Sequence, residues 1–353
     1  FCLIKIRKMN TFAPQFIISS MQRRIISILV VLLFVSLFSA KAQDAHFSQF
    51  YANPLYLNPA MAGTNVCPRI TLNFRDQWPG MQGEFLSYSA SYDQHFDKLA
   101  GGIGVIFFGD RAGQGTFNTY SASFMYSFKL KVSRKFNMRF ALSAGYYQTT
   151  LNWDKLTFGD MIDPKYGFIW NTNEQRPSDL TKGQFDCSAG FLGYTKNFYF
   201  GVAAHHLVPM YVGFITDTYR VPVKWTAHVG GNFDLKRKSK KETSFGDISI
   251  SPNIIYQHQL EAHYLHEGFY LNFYPFTVGL WLRHSFDNID AVIFTCGIQH
   301  EMIRVGYSYD ITASKLSGHT QGSHEVSLQF LLPCPRKVRH IKDLKCQIGR
   351  AHV

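Results

Sequence analysis

The chain has 353 residues, with 16% aromatic and 17% charged side chains, and a formal net charge of +12. Six basic residues before Gln43 and a net five after Leu332 leave the intervening body near +1, so the basicity forms no face of a domain and a nucleic-acid partner has no support. After one apolar run near the N-terminus no comparable run follows, which excludes a bundle of spanning helices.

Residues 1–20 begin without Met and are expected to lie upstream of the natural start. Met21, Arg23 and Arg24 lead an apolar run over 25–38, and Ala40-Lys41-Ala42 supplies a small-residue cleavage pattern before Gln43. The run is short for a spanning helix and follows charge, which predicts an export signal over 21–42.

Residues 43–68 form a distinct segment, in which 44–63 read DAHFSQFYANPLYLNPAMAG. Proline removes a donor, and the residue before it avoids the helical region, so Asn53-Pro54 and Asn58-Pro59 predict turns with at most short helical pieces. Phe47, Phe50, Tyr51, Leu55, Tyr56 and Leu57 still need burial. The segment is therefore expected to plug a lumen or close its mouth, with capture of a partner's strand or peptide as the alternative. Its candidate residues are Phe47, Gln49, Phe50, Tyr51, Asn53, Pro54, Leu55, Leu57, Asn58, Pro59 and Gly63.

From residue 69 to 332 the text alternates with a period of two. Ile70, Leu72 and Phe74 alternate with Thr71, Asn73 and Arg75; Leu86, Tyr88, Ala90 and Tyr92 alternate with Ser87, Ser89, Ser91 and Asp93. The pattern continues from Tyr120 through Val132, and returns at Val305, Tyr307, Tyr309 and Ile311 and at Val326, Leu328 and Phe330. Side chains alternate across a strand, so each strand has one oily and one wet face. A small polar face on nearly every strand cannot build a dry core but can line a lumen, which predicts an all-β transmembrane antiparallel β-barrel with lipid outside. About 14 strands are expected, an even number. They start near Arg69, Glu84, Gly101, Thr116, Phe136, Gln184, Asn197, Pro222, Phe245, Leu260, Phe276, Ile289, Glu301 and Gly322, with breaks such as Asp110-Arg111-Ala112-Gly113 and Asp287-Asn288. Long gaps at 152–182 and 208–221 are the expected extracellular loops. The basic run of Lys236, Arg237, Lys238, Lys240 and Lys241 is expected to be a solvated turn.

Cys67, Cys187 and Cys296 stand alone, and Cys334 with Cys346 is the near pair to consider. His205 and His206 are strand neighbours that point to opposite faces, and no spacing suggests a metal site or another cofactor. Residues 333–353 form a tail, whose last six letters, IGRAHV, read as the translation of a sequencing adapter, so the natural C-terminus is expected to be missing.

FSQFYANPLYLNPAMAG after Gln43-Asp44 closely resembles the N-terminal signature of the PorP/SprF family of outer-membrane proteins. Further matches are NFRDQWP (73–79), SYSASYDQ (87–94), GLWLRHS (279–285), GYSYDITASKL (306–316) and HEVSL (324–328). The resemblance implies a non-enzymatic accessory of type IX secretion and gliding motility in a Gram-negative outer membrane. Its implied partners are a secreted surface adhesin or cargo with a C-terminal sorting domain and other secretion components. A passive porin is the alternative. A barrel hydrolase would need a Ser–His pair on one face, and Ser323-His324-Glu325 does not supply it. A soluble β-sandwich would bury its apolar face against a second sheet, whereas so wide an aromatic face fits lipid.

Overall fold

The computed structural model describes residues 44–334 apart from 66, 82, 84, 215–219, 237–245, 286–287, 314–317 and 319. The expected export signal over 21–42, most of the basic run, Asp287 and Cys346 lie outside the described residues. From Ala45 onward the chain makes one compact unit. Its frame is 14 antiparallel strands: β1 (Arg69–Gln77), β2 (Phe85–Phe96), β3 (Gly101–Ala112), β4 (Phe117–Lys131), β5 (Asn137–Leu151), β6 (Thr181–Tyr194), β7 (Phe198–His205), β8 (Lys224–Gly231), β9 (Ile248–Gln259), β10 (Ala262–Phe273), β11 (Phe276–Ser285), β12 (Ile289–His300), β13 (Ile303–Thr312) and β14 (Ser323–Leu331). Each pairs with its sequence neighbours, and β1 pairs with β14 from Arg69↔Leu331 to Gln77↔Ser323. The sheet is thereby closed and has no free edge, the condition for strands to cross hydrocarbon.

The alternation sets which side faces out. Leu72, Phe74, Tyr88 and Tyr92 are exposed, while Thr71, Asn73, Arg75, Ser87, Ser89, Ser91 and Asp93 are buried inside. Observed strand starts fall within three residues of the expected ones. One expected break moves: Asp110, Arg111 and Ala112 belong to β3, where Ser87 donates to the Asp110 carboxylate at 2.6 Å, and the turn is confined to 113–116. Gly113, Gln114 and Gly115 all take left-handed φ there, which glycine adopts at little cost.

The two expected long connections, 152–180 and 206–223, leave from the same rim, opposite the rim that carries the 97–100, 274–275 and 301–302 turns. The 152–180 loop has a small hairpin of its own, pairing Ile162 with Phe168. On the short-turn rim the cysteine expectation is corrected: Cys334 is bonded to Cys67, not to Cys346. The two lie 267 positions apart in sequence. They meet because each stands just beyond the paired ends of β1 and β14.

A second departure concerns the lumen wall. On β9–β12 it is not small and polar: Ile255, Tyr270, Trp281 and Ile293 point inward and are fully buried, together with Leu192 and Tyr199 on β6 and β7. These strands carry apolar residues on both faces, as on β11, where Val278 and Leu280 face out and Trp281 faces in.

Candidate functional site

Residues 45–63 run through the barrel interior. Three one-turn pieces build this path, Phe50–Ala52, Pro54–Leu57 and Pro59–Met61. Each Asn-Pro step has a local reason. Proline is suited to open a helical turn, and the asparagine before it stays out of the helical region, which frees its side chain. Asn53 uses that freedom to donate to the Ser89 hydroxyl at 2.8 Å. Asn58 caps the Ala60 amide with its oxygen at 2.9 Å and donates from its nitrogen to the Phe191 carbonyl at 3.0 Å.

All eleven candidate residues are buried within the unit. Phe50 stands edge-on to His266 with ring centroids 4.6 Å apart and tilts against Trp281 at 5.4 Å; Tyr51 stands edge-on to Tyr199 at 5.8 Å. Phe47 packs on Tyr56 and Phe108. Leu55 joins Ala62, Ile106 and Met125, while Leu57 belongs with Phe50, Tyr51 and the inner aromatics of β9–β12. Pro54 and Pro59 are buried at the starts of their turns. Apolar residues of the segment thus meet the apolar part of the wall, and its polar residues meet the polar part.

Charged groups hold the two ends. At the start, the Ser48 and Gln49 amides donate to the Glu325 carboxylate at 2.6 and 3.1 Å, and the Ser48 hydroxyl donates to Asp310 at 2.6 Å. Arg75 binds all three, donating to Ser48 Oγ at 2.6 Å and pairing with Asp310 at 2.8 Å and Glu325 at 3.3 Å. Arg283 braces Asp310 from the other side at 3.2 Å and reaches Asp290 at 2.5 Å. At the exit, Arg139 donates to the Ala62 and Gly63 carbonyls at 2.8 and 2.6 Å. The Gly63 amide donates to Asp93 at 2.8 Å, and Arg69 pairs with Asp93 at 2.7 Å. A buried charge is tolerable only when paired and hydrogen-bonded, and here the segment's own backbone supplies part of that pairing.

Wall glycines complete the fit. A Cβ at Gly102 would collide with the Ala62 carbonyl and the Gly63 Cα, and one at Gly190 with the Asn58 side chain. Gly306 leaves the place where the Gln49 side chain lies, which accepts from Ser327 Oγ at 2.6 Å.

Sequence reasoning singled out the segment but missed its partners in the wall. Arg75, Asp93, Arg283, Asp310 and Glu325 each read as one more wet-face residue. The available signal is that they sit one apiece in NFRDQWP, SYSASYDQ, GLWLRHS, GYSYDITASKL and HEVSL. His324 between Ser323 and Glu325 faces the other way and accepts from or donates to Tyr307 at 2.8 Å.

Residues 39–330 match the model of a family described as type IX secretion system membrane protein PorP/SprF. No curated protein matches the chain in sequence. Among solved structures, the P. putida toluene transporter TodX is 8% identical, with 78% of this chain and 92% of that chain covered at a TM-score of 0.46. KdgM porin is 9% identical over 74% of this chain and 99% of its own, with a TM-score of 0.31. CdiB from Acinetobacter baumannii is 8% identical over 75% and 60%, with a TM-score of 0.41.

Proposed function

Because the chain belongs to the PorP/SprF family of type IX secretion system membrane proteins, we propose that it is a sealed, non-enzymatic accessory barrel that holds a secreted protein at the cell surface. Its place is the outer membrane, in association with type IX secretion. The proposed cargo is an adhesin or other surface protein bearing a C-terminal sorting domain, and other secretion components are further partners.

One observation supports the sealed state above the others: residues 45–63 fill the interior and supply hydrogen bonds to charges that would otherwise face an empty lumen. In this conformation the segment is buried, which favours a plug over a peptide-capturing arm. The occupied lumen also weighs against a passive porin. Cargo contact then falls to the long-loop rim, where Tyr166, Phe168 and Trp170 on the 152–180 loop are 66%, 62% and 59% exposed. Exposed aromatic groups of this kind mark interaction surfaces.

The test has two arms. A tagged full-length chain is pulled from detergent-solubilised outer membranes for mass spectrometry, and the purified barrel is placed in planar bilayers. Recovery of a surface protein with a sorting domain, and no conductance, is the expected result. The barrel recovered alone with a steady open channel would move the assignment to a porin.

A further inference from the structure

The outward face of the barrel is apolar around its circumference, but on β2–β5 it is not smooth. Ala90 on β2 and Ala122 on β4 both stand directly across from Phe107 on β3. Their short side chains leave a groove of about 540 Å³, walled by Tyr88, Phe107, Tyr120 and Tyr146. All four of those rings are exposed, and the volume is in the range that takes a small ligand, roughly 300–1,000 Å³.

One end of the groove is polar. Gln148 pairs with Tyr120 across β4 and β5, so its side chain shares the outward face. The Tyr88 and Tyr120 rings line the groove together with it. The Gln148 amide makes no side-chain hydrogen bond among the described residues, although an unpartnered amide is costly at a hydrocarbon boundary. Tyr88, Tyr120 and Gln148 each lie three residues inside a strand end at the long-loop rim, roughly 10 Å along the strand. Outer-membrane barrels carry aromatic girdles at both interfaces, and these three side chains share one level near that rim.

We propose that this groove is a binding site for one membrane lipid. One acyl chain lies over Ala90 and Ala122 between the four rings, and its ester carbonyl accepts a hydrogen bond from the Gln148 amide. The groove opens onto the lipid-facing surface and is continuous with it, and its polar end lies toward the long-loop rim.

The full-length chain is reconstituted in palmitoyl-oleoyl-phosphatidylcholine vesicles containing phosphatidylcholine with a diazirine in one acyl chain, then irradiated and mapped by mass spectrometry. Labelling several-fold higher on the four groove rings than on the outward aromatics Phe269 and Phe294 is expected. Ala122→Phe, which fills the groove, should bring it down to the level of those aromatics. Gln148→Leu, on an outward side chain that packs nothing inside, should reduce it as well and serves if Ala122→Phe fails to fold. Even labelling around the barrel, or enrichment unchanged in Gln148→Leu, overturns the proposal. So does a groove without lipid label whose residues instead cross-link to a second copy of the chain.

Discussion

Arg75 holds Ser48, Asp310 and Glu325 at once, from a position that reads in sequence as an ordinary lumen residue. Its two carboxylates lie 235 and 250 positions away, so no local pattern could have joined them. Removing one partner of a buried ion pair costs about 3–5 kcal/mol because the other charge is left uncompensated. Arg75→Ala should therefore lower the temperature at which the folded, heat-modifiable form is lost on gels, by more than a matched change at exposed Lys131. Gly102 works by contact instead. Gly102→Val puts a side chain into the Ala62 carbonyl and the Gly63 Cα, while leaving the strand register to the backbone. The exit of the segment should be forced off the wall, with channel openings appearing in planar bilayers; a channel that stays closed would mean the segment seats without this contact.

At the level of elements, the period of two was enough to find the strands, because most of them bury a polar face and expose an apolar one. It misled where both faces are apolar. On β11 the inward Trp281 is matched to the segment's Phe50, and alternation has no way to mark a residue whose apolar partner comes from outside the sheet. The Cys67–Cys334 bond was hidden for a related reason: closure of the barrel, not sequence distance, makes β1 and β14 neighbours. Such a bond across a long loop restricts the unfolded chain and contributes about 2–4 kcal/mol. Cys67→Ser should therefore shift unfolding in urea to lower concentration, and the difference should vanish when both proteins are compared under reduction. The 152–180 loop is fastened mainly to itself, with Asp160 accepting from the Asn173 amide and the Thr172 hydroxyl. Trp170→Ala should thus leave unfolding unchanged while weakening cargo recovery in the pulldown.

For the whole molecule the question is what occupies the lumen. Deleting 44–63 removes the amides that Glu325 and Asp93 accept from and the carbonyls that Arg139 donates to. It also strips the cover from the inner aromatics. The expected outcome is a barrel that still assembles, conducts in planar bilayers and unfolds more readily than the full chain. If the truncated barrel remains closed, some other part of the chain seals it and the plug reading fails.

By itself the sequence determined the class of fold, the number of strands, the direction each face points and the family to which the chain belongs. These follow from local rules: alternation across a strand, turn residues between strands, and a short block of motif letters. Also local was the need of Phe47, Phe50, Tyr51 and their neighbours for burial. Only the tertiary structure decided which inner positions receive them, which charges bind the segment, where Cys334 finds its partner and where the outer wall is hollow. Each of these depends on bringing together residues from strands distant in the chain, and a closed sheet fixes those meetings through cross-strand register, which one-dimensional periodicity does not encode.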